Sequence, residues 1–232
     1  MNRKIKAILT ITIGTSMLTF GGSDASMQTN RQADGTTTRN SNTSADMIGN
    51  LSTDEFERVN AEGQRAVAAI APTSGALSKA DQKLMTEVAM GGMMQLEVSR
   101  AALEKVTSPE ARLLAQSEVE EQTGVAAKLR EIAAAKGFTL PAAPDPKTAA
   151  LISKMNGVSG NELDVFYIRE SGVNGHEKLQ KVMTKVQSKA TDPSMKSLAA
   201  ATLPVIRVHM QVSRAEVAKK SGGNNRNNSA RK

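Results

Sequence analysis

His176 and His209 are the only two histidines in a chain of 232 residues. Each stands among apolar residues that recur at intervals of three and four, so each is expected to face inward from a helix. Glu118 does the same on another segment, in the middle of a stripe made by Ala111, Leu114, Ala115, Val125, Leu129 and Ile132. Burying a lone carboxylate is costly unless it is paired or protonated, so Glu118 requires a partner or a route to water. Gln122 lies one turn further along that stripe, and Gln95 lies at the edge of another. Two helices presenting His and a third presenting Glu match a metal site in residue type. The candidate ligands are therefore His176, His209 and Glu118, with Gln95 and Gln122 as polar neighbours and Fe, Mn or Zn as the candidate ion. The spacing is less specific. A carboxylate-bridged pair of metals uses Glu-x-x-His on two helices, whereas positions 173 and 206 here are Val and Ile. A hydrogen-bonded core histidine is the alternative at each position.

Other chemistry has less support. Met90, Met93 and Met94 could offer sulfur to Cu(I), but methionine at helical spacing is more often core filler. They are expected to pack against an N-terminal helix. Nothing places a Ser beside a His with an orienting acid, which argues against a hydrolase. A small-ligand pocket in the seam, near Pro204 and the Gly172–Gly175 stretch, is a further reading.

The elements that must carry these groups are helices. Start signals recur along the chain: Ser78 with Asp81, Ser108-Pro109-Glu110, Ser159 with Glu162, and Asp192-Pro193. They open four runs of roughly 28 residues, each about 40 Å long. Ser52 with Glu55 opens an additional helix over residues 53–71. Pro141, Pro144 and Pro146 break the chain between the second and third long helices, and Asp145-Pro146 can start a short helix through Met155. In the third long helix the face of Leu163, Phe166 and Tyr167 does not line up with that of Leu179, Val182, Met183 and Val186. A π-bulge or kink is expected at residues 171–176, where Gly172 and Gly175 lie. Pro204 frees the carbonyl of Ala200 and should kink the fourth helix there. The expected fold class is all-α: a ferritin-like up-down four-helix bundle with an additional N-terminal helix and a short helix in the second-to-third connection.

The ends read differently. Arg3, Lys4 and Lys6 precede an apolar stretch and then small residues, the pattern of a secretory signal peptide over 1–25. Residues 26–50 read as a disordered linker, 51–221 as the bundle and 222–232 as a disordered basic tail. An exported protein, periplasmic or associated with the outer membrane, is the corresponding expectation. With no Cys, such a protein must hold together through its core. The net charge of +7 comes largely from Lys219, Lys220, Arg226, Arg231 and Lys232, and the bundle is nearly neutral. A neutral body without Trp and with one Tyr argues against nucleic-acid binding. The tail could contact an anionic envelope surface. Self-association or an unidentified protein partner stays open.

Several stretches resemble a bacterial family of exported ferritin-like domains of unknown function, often labelled outer-membrane proteins. They are Glu97-Val98 through Lys105, Ser108-Pro109-Glu110-Ala111-Arg112, Leu129 to Gly137 followed by Leu140-Pro141, Asp164 to Tyr167, His176, and Leu203-Pro204 leading to His209. The resemblance spans about residues 53–220. It implies a bundle in the cell envelope and no established reaction. It also implies an inward Glu where this chain has Gln95, and an Asp-His pair where it has Glu121-Gln122. Amides bind metals poorly, so the resemblance implies that a metal held by relatives could be lost here. The leading reading of the sequence is a non-catalytic structural or stress-related module. The alternative is a metal-binding ferritin-like protein using inward His and Glu.

Overall fold

The computed structural model describes residues 47–229, with side chains placed for 47–221. The expected signal peptide, and all of the expected linker except residues 47–50, lie outside these residues. Met47–Ile48 (β1) pairs antiparallel with Leu51–Ser52 (β2), and Ile48 is buried. These last linker positions thus belong to the fold.

The helices follow in the order α1 (Thr53–Ala68), α2 (Lys79–Leu103), α3 (Pro109–Ala135), α4 (Pro146–Asn156), α5 (Gly160–Tyr167), a π-helical segment (Ile168–Gly175), α6 (His176–Lys189) and α7 (Pro193–Ser229). Most of the start signals work as side-chain caps. Ser52, Ser78, Ser108, Asp145 and Asp192 accept from the backbone amides of Glu55, Asp81, Ala111, Lys147 and Met195. Ser159 makes no such bond: the next residue, Gly160, takes φ +56° and turns the chain away from the capping geometry. The helical backbone of α7 runs through Pro204 and continues past Ser221. Pro204 sits on the exposed side of that helix.

The helices α2, α3, α7 and α5–α6 form a ring in which every neighbour is antiparallel. The residues at its ends give the directions. Asp81, at the start of α2, bonds Thr191 in the α6–α7 loop. Asp164 in α5 bonds Thr107 and Ser108 in the α2–α3 loop at the opposite end. The segment from the end of α3 to α5, carrying α4, brings the chain back along the bundle. This single long crossover makes the arrangement a ferritin-like four-helix bundle. Among the described residues, no helix is long and apolar enough to cross a membrane.

The added helix α1 lies across α3 and α7. Gly63 permits the close approach: a Cβ there would collide with Val205 Cγ2. Met90, Met93 and Met94 were expected to pack against this helix, but α1 lies mainly on α3 and α7 rather than on α2. Met93 joins the apolar cluster that includes Leu140 from the crossover, and Met94 packs on the cluster at the other end.

Two apolar clusters fill the ring. One holds Leu84, Val88, Leu129, Met183 and Ile206; the other holds Val98, Ala115, Leu163, Ile168 and Val212. Each long helix contributes to both, and its inward polar residue falls between them. Gln95 does so on α2, Glu118 on α3, His176 at the start of α6 and His209 on α7. The hydrophilic groups thus form one layer at mid-bundle, closed above and below by hydrocarbon.

Candidate metal centre

Glu118, Glu121, His176 and His209 converge in that layer. All four are buried, and one ligand atom from each lies within 4.8 Å of the other three. Glu118 and Glu121 share a face of α3 because residues three apart are neighbours on a helix. His209 comes from the middle of α7. The position of His176 depends on the π segment, whose wider turns correct the mismatch between the faces of α5 and α6. Gly175 lets that segment pass α2 closely: a Cβ there would collide with Gln95 Oε1.

Glu118 Oε2 is the hub. His176 Nε2 lies 2.9 Å from it and His209 Nδ1 lies 3.1 Å from it. Glu121 Oε2 stands 3.5 Å from His209 Nδ1. The outer nitrogen of each imidazole is tied down. His176 Nδ1 is 3.1 Å from the Ser171 carbonyl, and His209 Nε2 is 2.6 Å from Asn60 Oδ1. Both oxygens can only accept, so each outer nitrogen carries the proton and each inner nitrogen faces the carboxylates. Such outer hydrogen bonds fix the tautomer and aim of metal-ligating histidines.

Several polar atoms in the layer are unmatched. Glu118 Oε1, both oxygens of Glu121, and His176 Nε2 lack an aligned hydrogen-bond partner among the described residues. The short approach of His176 to Glu118 therefore brings charges together without forming a good hydrogen bond. Orphaned buried polar atoms are uncommon in folded proteins and call for a reason. Here four of them belong to Glu118, Glu121 and His176, three of the four clustered residues.

The electrostatics follow from burial and from Glu118. Burial works to raise Glu118, but the facing imidazoles of His176 and His209 reverse this and hold it well below the usual carboxylate range. Burial works to lower His176, and the charge of Glu118 overrides it and lifts the ring to about 9. Glu121 is pushed far up, first by burial and then by the neighbouring Glu118 charge. His209 is driven down, chiefly by burial. These shifts favour the charged forms of Glu118 and His176 and the neutral forms of Glu121 and His209. Burial and the charge of Glu118 also raise the phenol of Tyr167, whose hydroxyl is 3.0 Å from Ser99 Oγ.

The three candidate ligands from the sequence, His176, His209 and Glu118, come together. Gln95 is beside them as a brace: its Nε2 donates to the Ser171 carbonyl and its Oε1 accepts from Ser171 Oγ. Gln122 turns aside, with Oε1 against Gly92 and its side chain lining a small cleft between α2 and α3. Glu121, expected only as the replacement for a would-be ligand, supplies the fourth donor. Its spacing from Glu118 was the available signal. Asn60 had one too, since it interrupts the stripe of Phe56, Gly63 and Val67 on α1. Phe56 stacks on His209 with ring centroids 5.1 Å apart.

The family model of a domain of unknown function matches residues 66–215, a stretch that holds all four clustered residues. The chain belongs to that family, DUF4142. No curated protein and no solved structure matches it. The DUF4142 match begins at the last turn of α1, so Phe56 and Asn60, which hold His209 from outside, come from a segment before the matched stretch.

Proposed function

We propose that this DUF4142 protein binds a single transition-metal ion, Fe, Mn or Zn, through Glu118, Glu121, His176 and His209. The observation that carries this reading is the aim of the two imidazoles. Each is locked from behind by an acceptor, and their inner nitrogens converge on one carboxylate oxygen. A set of two nitrogens and two carboxylates suits borderline divalent metals better than Ca²⁺ or Mg²⁺, which prefer all-oxygen sites, or Cu(I), which prefers sulfur. The cluster favours this reading over a purely structural module, since packing alone gives no reason to leave the oxygens of Glu121 unmatched.

Binding a dication would expel the protons held by Glu121 and His176, so affinity should rise with pH. Four carboxylate and imidazole donors within a few ångströms suit one ion rather than two. The test is elemental analysis of full-length protein purified without an affinity tag. A stoichiometric transition metal, lost in His176→Ala/His209→Ala with helicity retained, is the expected result. A folded wild-type protein that takes up none of Fe(II), Mn(II) or Zn(II) from excess would overturn the reading.

A further inference from the structure

Gln122 is an inward polar residue of α3 that the metal centre does not use. It is 2 % exposed, and its side chain turns from the mid-bundle layer into a cleft between α2, α3 and the crossover at Leu140 and Pro141. Gln95, by contrast, spends both ends of its amide on Ser171. The Gln122 amide bonds to no described residue, yet unlike the sealed oxygens of Glu121 it keeps an accessible edge on the cleft. Gly92 on α2 makes room for it, since a Cβ there would stand 3.0 Å from Gln122 Oε1. A glycine inside a helix costs about 1 kcal/mol relative to alanine, so that room is kept against the preference of the helix.

The cleft measures about 110 Å³, and its walls are mainly apolar, with Val88, Met93, Val125 and Leu140 among them. An aliphatic cavity of about 150 Å³ takes up benzene, so a cleft near that size suits a single six-membered ring. Arg130 marks the mouth: it is exposed, and it is the one charged group among the described residues that line the cleft. The adjacent acid, Glu131, is held by Lys128 at 2.6 Å. Gln122, Ala126 and Arg130 follow one another at intervals of four, a single row along α3. Eight residues of helix span about 12 Å. Long helical side chains lean back toward the N-terminus, which brings the guanidinium nearer to Gln122. Apolar walls with a few convergent polar groups are the usual ingredients of a ligand pocket.

We propose that this α2–α3 cleft binds a hydroxylated aromatic carboxylate, with one ring in the slot, its hydroxyl on the Gln122 amide and its carboxylate on Arg130. The amide offers one acceptor and two donors, and a hydroxyl, which both donates and accepts, matches either kind. The guanidinium at the mouth selects an anion and pairs with a carboxylate in its own plane. A rigid ring holds the two polar ends apart at little entropic cost. The proposal holds with or without a metal at the centre, and metal uptake by the same proteins tests the other reading separately.

The test titrates 4-hydroxybenzoate, benzoate and phenol into full-length protein carrying methyl-labelled valine and methionine, followed by nuclear magnetic resonance. 4-Hydroxybenzoate should give saturable shifts at Val88, Met93 and Val125. Benzoate leaves the amide unmatched and should bind about tenfold more weakly. Gln122→Leu should erase this preference for the hydroxyl while benzoate binding and the unfolding midpoint are retained. Arg130→Gln, at an exposed position, should weaken 4-hydroxybenzoate by about three- to fivefold and leave phenol unchanged. Silent methyls in the wild type would overturn the proposal. So would a hydroxyl preference that survives Gln122→Leu, or phenol bound as tightly as 4-hydroxybenzoate.

Discussion

The buried carboxylates at the ends of the bundle and those at its middle are built in opposite ways. Asp164 accepts from the Thr107 amide at 2.8 Å, the Thr107 hydroxyl at 2.9 Å and the Ser108 amide at 2.8 Å. At the other end Asp81 accepts from the Thr191 amide, the Thr191 hydroxyl and the Ser78 hydroxyl. Burial raises both groups, but these donors outweigh it and leave each below its ordinary value. Their partners are neutral, and many are backbone amides of loops that must be pinned. Glu118 and Glu121 have no backbone donor, keep oxygens unmatched, and face imidazoles. A carboxylate saturated by amides holds a loop. One left unsaturated opposite an imidazole nitrogen is disposed to share a cation.

That contrast can be broken most sharply at the hub. Glu118→Gln leaves His176 without its counter-charge, and losing one partner of a buried ion pair typically costs about 3–5 kcal/mol. Urea unfolding of metal-free protein should show a loss of that size, and metal uptake should vanish. Asp164→Asn should cost about 2–3 kcal/mol through its charge-assisted bonds, yet leave metal affinity as in wild type by titration calorimetry. A fall in affinity there would erase the distinction between end and middle.

Metal addition provides the next measure. At a hundredfold excess over Kd it should stabilise the wild type by about 2.7 kcal/mol, read as a shift in the unfolding midpoint. Glu121→Gln should remove most of that gain without lowering metal-free stability, because a neutral carboxyl and an amide have nearly the same shape and the oxygen replaced held no hydrogen bond. The smallest effect concerns pH. Asp81 and Asp164 have lowered values, so their contribution is present above the ordinary carboxylate pKa and is lost as pH falls through the folded value. Glu121 is raised, so its contribution is present below the ordinary carboxylate pKa and is lost as pH rises toward the folded value. In metal-free protein, Asp164→Asn should flatten the acid limb of the stability curve and Glu121→Gln should flatten the opposite one.

The sequence was legible where the physics is local. Capping residues located the helix starts because a side-chain oxygen and an amide a few residues away are all that a cap needs. The mismatch of faces between Tyr167 and Leu179 located the π segment because helical phase accumulates residue by residue. The role of Glu121 was harder to see. On a helical wheel it lies off the centre of the α3 stripe, and only the neighbouring α7 and α1 decide that this flank is covered. Gln122 lies nearer the stripe yet points into a side cleft. Amide replacement at Gln95 and Gln122 therefore does not empty the layer of donors, because Glu121, one position from Gln122, is turned into the cluster.

Taken alone, then, the chain determined its helices, their apolar faces, the irregularity near His176 and the presence of a few inward polar groups. Each of these follows from the period of the backbone and from side chains within a turn or two. Which of those groups meet was decided only by the ring of four helices and by α1 laid across it. Asn60 and His209 are 149 positions apart in the chain, and Glu118 and His209 are 91 apart. Contacts at that separation depend on helix spacing and rotation, which are set by packing.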